Sequence, residues 1–471
     1  MRRRDFLGLT GAAALVPAFQ ALLPRLSYAD GKPHRTLRPG VGRAPLMGAD
    51  KPPTEVWSYN DLCPGPIIRI PRNREVHVRV ENALAEPTSV HWHGIRIDNA
   101  MDGVTGLTQD PIAPGESFDY RFTSPDAGTF WYHSHHRSWE QVGRGLYGAL
   151  IVEEDDPVAV DHDLLFIADD WRLDDRGEIS PEFGALHDAS HGGRLGNWLT
   201  VNGDTKPAFK VRPGARVRLR CMSVTNARIM AFAFPGLKPM IAAIDGQPLE
   251  TPTPLGDALV LGSAQRADLI IDIPVTAGTQ FDIHEVSVGE PIDAALLVVD
   301  GEPVRETPLA EPLTLPANPL NKINLDLVEP LHVDLLMEGG AMGGMRQAMH
   351  GGRMFDMRSL VVEKGQAWAF NGIAGKTDTP LVSVPEGRTL VLNMINDTRW
   401  AHAMHMHGHH FRVIERNGQK VTGAPWRDTE LVDAGERVRV AFVADNPGKW
   451  LFHCHMLEHH MAGMGTWISV G

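Results

Sequence analysis

Cysteine is scarce in this chain. Cys63, Cys221 and Cys454 are the three present in 471 residues. That number rules out a disulfide framework, and a site built on one cysteine falls short of the usual structural zinc sites. Cys63 and Cys221 are expected as buried free thiols, with a pairing between them as the alternative. Basic side chains are also in the minority, 45 Lys and Arg against 58 Asp and Glu, for a net charge of −13. This argues against nucleic acid and against an anionic membrane surface as partners. Beyond the N-terminal region no segment holds the ~18 uninterrupted apolar residues of a spanning helix, so no membrane span is expected in the mature protein.

Glycine and proline are abundant, 47 and 35 residues. Such a composition favours many short strands joined by turns over long helices. The length suggests about three domains of on the order of 150 residues each. The N-terminus, MRRRDFLGLTGAAALVPAFQALLPRLSYAD, reads as an export signal. Arg3 and Arg4 followed by Phe6 and Leu7 match a twin-arginine signal, and Ser27 and Ala29 suit cleavage after Ala29. Residues 1–29 are therefore expected to be a signal peptide and the mature protein to be periplasmic. A membrane anchor is the alternative, weakened by Pro17 inside the apolar run.

The chain repeats itself. IAPGESFDYRFTSPDAGTFWYHSH, ending at His135, parallels LVDAGERVRVAFVADNPGKWLFHCH, ending at His455. VHWHG near residue 91 parallels MHMHG near residue 405. A third copy, VRPGARVRLRCMSVTNAR, resembles VPEGRTLVLNMINDTR but carries no H-x-H pair. Apolar residues alternate at period two, as in antiparallel sandwiches. The expected organisation is residues 30–156, 157–300 and 331–471 as three units, with 301–330 as a linker.

Four H-x-H pairs stand out: His91/His93, His133/His135, His405/His407 and His453/His455. On a strand, residues i and i+2 share a face, so each pair can present two imidazoles to one metal site. Parity separates a second site. Cys454 points away from His453 and His455, and His402 has the parity opposite to His405 and His407. Cys454 and His402 can thus meet at one site while the eight paired histidines meet at another. The turn after Cys454 adds His459 and Met464. Two histidines, a thiolate and a thioether match a blue-copper electron-transfer site. Cys454 would then join the two sites covalently.

The motifs HWHG, HSH, HAMHMHG and HCHMLEHHMAGM, in that order, resemble those of the multicopper oxidases, including laccases and cuprous oxidases. The resemblance covers nearly the whole mature chain. It implies an all-β fold of three consecutive cupredoxin-like Greek-key sandwich or barrel domains and four copper ions. His402, Cys454, His459 and Met464 would hold a type 1 copper, and His91 and His405 a type 2 copper. His93, His133, His135, His407, His453 and His455 would hold a type 3 pair between the first and last domains. It further implies one-electron oxidation of a substrate coupled to four-electron reduction of dioxygen to water, in a protein expected to be monomeric. Asp102 matches the acidic residue of a proton relay near the cluster. His460 departs from the family, where many bacterial relatives carry Glu; Glu458 or His460 itself is the candidate replacement.

The substrate is read from residues 335–357, LLMEGGAMGGMRQAMHGGRMFDM. Met337, Met342, Met345, Met349, Met354 and Met357 offer thioethers, soft ligands that prefer Cu(I). Core filling is the competing reading. Cu(I) oxidation in copper tolerance is therefore placed ahead of laccase-like oxidation of phenols. A copper-free relative of cell-division type, or a copper carrier using the Met-rich segment alone, are the readings from other classes. Trp400 is expected at the rim of the site that takes up electrons, or in packing. His136, His409 and His410 are expected to be exposed or to support the ligands.

Overall fold

The computed structural model describes residues 35–307, 309 and 313–471; the signal segment 1–29 lies outside the described residues. Strands dominate, and the longest helix among the described residues is Met357–Lys364. Alternation at period two explains this directly. In Arg216–Ser223 and Thr389–Asn396, inward Val217, Leu219 and Cys221 or Leu390, Leu392 and Met394 fill a core.

The threefold repeat is visible in the strand pairing. Near its start each copy has one parallel step: Arg35–Leu37 beside Glu75–Glu81, His162–Trp171 beside Arg216–Ser223, and Leu331–Gly339 beside Thr389–Asn396. A second parallel step recurs in the opposite sheet. Gly65–Pro71 pairs with Tyr147–Glu153, Ala208–Val211 with Ile292–Val299, and Val382–Val384 with Gly465–Val470. The remaining ladders are antiparallel. Among the described residues every pairing falls within 35–153, 162–299 or 331–470. Three sandwiches of cupredoxin type therefore follow one another along the chain, each around its own apolar core. Cys221 lies in the second core and Cys63 at the seam between the first two copies, and both are unpaired.

Beside an apolar cluster, the seam between the first and second copies carries a buried polar network. Asp268 Oδ1 accepts from Thr129 Oγ1 at 2.7 Å, and its Oδ2 accepts from Arg218 at 2.6 Å. Arg218 also grips Glu154, and Arg220 reaches Thr129 and Asp163. Thr129 sits on Gly128–Ser134, the strand that carries His133. Removing one partner of such a buried set strands the charges of the others, at a cost of about 3 kcal/mol or more. Asp268→Ala is expected to destabilise the protein by about that amount, seen as a lower midpoint in urea; an unchanged midpoint would show that the seam contributes little.

Candidate metal centre

Two antiparallel pairs bring the histidines together. His91 stands opposite His133 where Val90–His93 pairs with Gly128–Ser134. His405 stands opposite His453 where His402–Met406 pairs with Gly448–Cys454. The two ladders face each other and their rings interleave. His91 stacks on His407 at 3.9 Å between centroids, and His93 on His405 at 3.7 Å.

Each ring of the cluster except His135 is oriented through one nitrogen. The first histidine of HSH and of HCH does the same thing: His133 and His453 each donate Nδ1–H to the next residue's carbonyl at 2.9 Å. His91 Nδ1–H donates to the Asp102 carbonyl, His405 Nδ1–H to the Asp428 carbonyl, and His455 Nδ1–H to Ser263 Oγ. His407 Nδ1–H is held by the Asp102 carboxylate at 3.0 Å. His93 is reversed: its Nε2–H meets Asp428 Oδ1 at 3.2 Å. The other nitrogens point inward without ordinary partners. His91 Nε2, His93 Nδ1, His135 Nε2 and His405 Nε2 are buried and unsatisfied, while Nε2 of His407 and His453 approach to 3.1 Å and those of His133 and His455 to 3.4 Å. Buried polar atoms left this way cost free energy unless something occupies the space. Burial also holds His93, His133, His135, His405, His407, His453 and His455 below the ordinary imidazole range, so their lone pairs are free at neutral pH. A concentration of neutral imidazole nitrogens suits copper.

The second site lies on the other side of the same strand, as parity predicts. Nδ1 of His402 and His459 are 3.1 Å apart, and Cys454 Sγ lies 3.6 and 3.8 Å from them. Their far nitrogens are again fixed. His402 Nε2–H donates to Thr398 Oγ1 at 2.9 Å, and His459 Nε2–H to the His191 carbonyl at 2.6 Å. Met464 is buried in the same core, with its carbonyl accepting from Cys454 N. Burial pushes the Cys454 thiol up to about 12. A cation here reverses that preference, because the thiolate is the ligand form.

Several contributors carry no sequence signature. Asp428 sits under His93 and His405 and receives a bidentate clamp from Arg266, at 2.9 and 2.6 Å. Burial alone would raise its pKa, but Arg266, with His93 and His405, holds it well below the usual carboxylate range. Arg266 comes from the middle copy, which supplies no ligand. Asp245 completes the support, accepting from the Arg266, Asp428 and Thr429 amides. Gly94, at φ +83, is part of this design: a Cβ there would lie 2.5 Å from both Arg266 Nη2 and Asp428 Oδ2. Gly408, at φ +65, similarly makes room for the Trp450 ring.

The other candidates fall as follows. The Asp102 carboxylate touches two ligand-bearing rings, His407 and His91. His460 is at the cluster, its ring 4.3 Å from His453. Glu458 turns away, accepting from Asn226 Nδ2 and Arg194 N of the middle copy, and burial pushes it up to about 7. His409 and His410 are buried; His410 contacts Gln247 and faces Asp428. His136 is half-buried, and Trp400 is half-buried beside His191 at 5.5 Å.

Met337 is a correction to the Met-rich set. It lies on Leu331–Gly339, where alternation turns Leu335 and Met337 inward, and it is wholly buried in the third core. The rest of the segment is ordered: Gln347–His350 and Arg353–Asp356 form a hairpin over Gly351–Gly352, both at positive φ. Met349 faces Met354 across it, and these two are 38% and 57% exposed. Met345 packs against a small core under the hairpin, and Met357 is half-buried.

A His402, Cys454 and His459 donor set joined by one H-C-H strand to a histidine cluster, on three cupredoxin sandwiches, defines a copper-dependent oxidoreductase. Residues 41–157 and 352–471 each match the family description "Multicopper oxidase". The chain is 32% identical to multicopper oxidase MmcO of Mycobacterium tuberculosis, over 98% of this chain and 95% of that one. Among solved structures, a multicopper oxidase from Pseudomonas thermotolerans superposes with TM-score 0.79 at 31% identity, over 94% of this chain and 100% of the other. A multicopper oxidase from Campylobacter jejuni described as a metallo-oxidase superposes with TM-score 0.77 at 26% identity, over 95% and 94%. The chain belongs to the multicopper oxidases.

Arg266 tests the support of the cluster. Losing a group that orients metal ligands costs roughly 10–100-fold in metal affinity. Arg266→Met is expected to lose copper from the cluster on dialysis against a chelator while keeping copper at the His402, Cys454 and His459 site. Full copper content after dialysis would remove Arg266 from this role.

Proposed function

We propose that this multicopper oxidase is exported by the twin-arginine route and works in the periplasm, oxidising Cu(I) and reducing dioxygen to water. The observation that carries the coupling is Cys454, set between His453 and His455 so that one strand serves both donor sets. His402, Cys454 and His459 would hold a type 1 copper with Met464 as the distant ligand. His91 and His405 would hold the type 2 copper. His135, His407 and His453 would hold one type 3 copper, and His93, His133 and His455 the other. Four coppers supply storage for the four electrons that dioxygen needs.

The residues do the remaining work. Hydrogen bonds at the second nitrogen fix every mapped ring except His135 before metal arrives, which limits rearrangement as charge changes. Asp102 sits where a proton can be held next to His407, and His460 is the nearer of the two candidates to share that task. Exposed Met342, Met349 and Met354 support Cu(I) as the substrate, since thioethers add softness that a phenol does not require. The metallo-oxidase from Campylobacter jejuni supports the same reading. Among the described residues no helix is long and apolar enough to cross a membrane.

Cys454→Ser is expected to give a folded protein without blue absorption and without oxidase turnover. Strong visible absorption near that of the parent would contradict the assignment. Replacing Met342, Met345, Met349 and Met354 together by Leu separates the substrates. At low Cu(I) the cuprous oxidase rate should fall roughly tenfold or more, as for the loss of metal-supporting groups, while the rate for a small phenol holds or rises. A parallel loss of both would mean packing, and no loss of either would favour laccase-like chemistry.

A further inference from the structure

The middle copy places two histidines on the outer face of the mononuclear site. Its short helix Leu186–Ser190 packs against Leu457–Met461, the helix that bears His459. His187 and His191 are one turn apart and their rings stack, centroids 4.1 Å and planes 13° apart. His187 is 78% exposed. His191 Nδ1–H donates to the His187 carbonyl at 3.0 Å and meets Ser190 Oγ at 3.0 Å, whose own proton goes to the Leu186 carbonyl. Two acceptors at Nδ1 fix the tautomer and leave the Nε2 lone pair available, the ligand-ready form.

A methionine follows the residue that is bonded to this helix. The Ala341 amide donates to the Ser190 carbonyl at 2.6 Å, so Met342, the next residue, leaves the surface at the histidine helix. Met342 is 73% exposed and is held at φ +63, a region that a residue with a side chain seldom occupies. Trp400 fills the ground between, its Nε1–H on the Ala341 carbonyl at 3.2 Å.

We propose that His187, His191 and Met342 form the docking site for the incoming Cu(I) ion. The proposal rests on the Cu(I) reading above and gives it an address. Two imidazoles and a thioether form a donor set that accepts a soft monovalent copper. The same residues supply the route. From the His191 ring the path runs through its own backbone to its carbonyl, then across the 2.6 Å hydrogen bond to His459 Nε2. Each docked Cu(I) gives up one electron and leaves as Cu(II). The electron would go to the copper that His402, Cys454 and His459 would hold, no proton need move at the docking site, and dioxygen would be the final acceptor.

The test uses the copper-loaded protein with Ag(I) as a Cu(I) mimic that is not oxidised. Parent, His187→Ala, and His187→Ala with His191→Ala are compared by calorimetric Ag(I) titration and by KM for Cu(I). Alanine keeps the His191 carbonyl that holds His459, so a loss reports on the rings. His187 is exposed, which makes the single variant safe for folding. The double variant is expected to bind one Ag(I) fewer and to show a KM for Cu(I) roughly tenfold or more higher, with its blue absorption intact. Unchanged Ag(I) stoichiometry and KM would overturn the site. So would loss of Zn(II) binding with Ag(I) untouched, which would make the pair a divalent site, or an equal rise of KM for a phenol, which would mean packing. A parent that does not oxidise Cu(I) at all would overturn the substrate reading itself, and with it the docking role.

Discussion

Ten histidines can be packed into the interior of this protein because nearly every ring gives one N–H to a fixed acceptor. A buried imidazole with both nitrogens unmatched is costly, and one with both nitrogens matched is useless as a ligand. Backbone carbonyls of Ser134 and Cys454, Asp102 and Asp428, and the hydroxyls of Ser263 and Thr398 each take one hydrogen. What remains is a set of lone pairs aimed at common points. The His191 carbonyl does the same for His459. This half-satisfaction orders the site and leaves room only for something that accepts lone pairs.

The anchors explain why a middle copy without an H-x-H pair belongs in the structure. It sends Ser263 to His455, the His191 carbonyl to His459, and Arg266 to the carboxylate under His93 and His405. Burying an arginine and a carboxylate together is costly unless the geometry is excellent. Here the clamp is bidentate, Asp245 flanks it, and the charge on Asp428 is kept where two ring N–H groups can use it. The middle copy therefore fixes the seam between the outer two from behind.

Much of the site was legible because strand parity is a local rule. H-x-H puts two rings on one face, and the residue between them on the other, whatever the rest of the chain does. That is why Cys454 and His402 could be paired and separated from His405 and His453 from the sequence, and the strand register agrees. The threefold strand pattern was legible for the same reason. Asp428, Arg266 and Ser263 were not, since their roles depend on contacts between copies that no spacing encodes. Met337 follows the alternation of its own strand into the core, which its thioether alone does not reveal. The glycines around residues 351–352 hid a hairpin whose two-residue turn requires positive φ at both positions.

Strand parity also bears on how the two sites communicate. Cys454 lies one peptide unit from His453 and one from His455, so a change of charge at its sulfur is felt by both histidines. His453 returns its Nδ1–H to the Cys454 carbonyl, which closes a second contact across the same residue. The buried surroundings make each interaction stronger than it would be in water, and they make movement costly. A site of this kind gains from having its rings set in advance, because reorganisation would have to occur against packed neighbours such as Trp368, whose ring lies 4.4 Å from His459. Rigidity at the mononuclear site and exposure at the His187 helix are therefore complementary. On the proposed docking of Cu(I), electrons would pass inward through the hydrogen bond between the His191 carbonyl and the His459 ring, while the ion that delivers them would meet side chains at the surface.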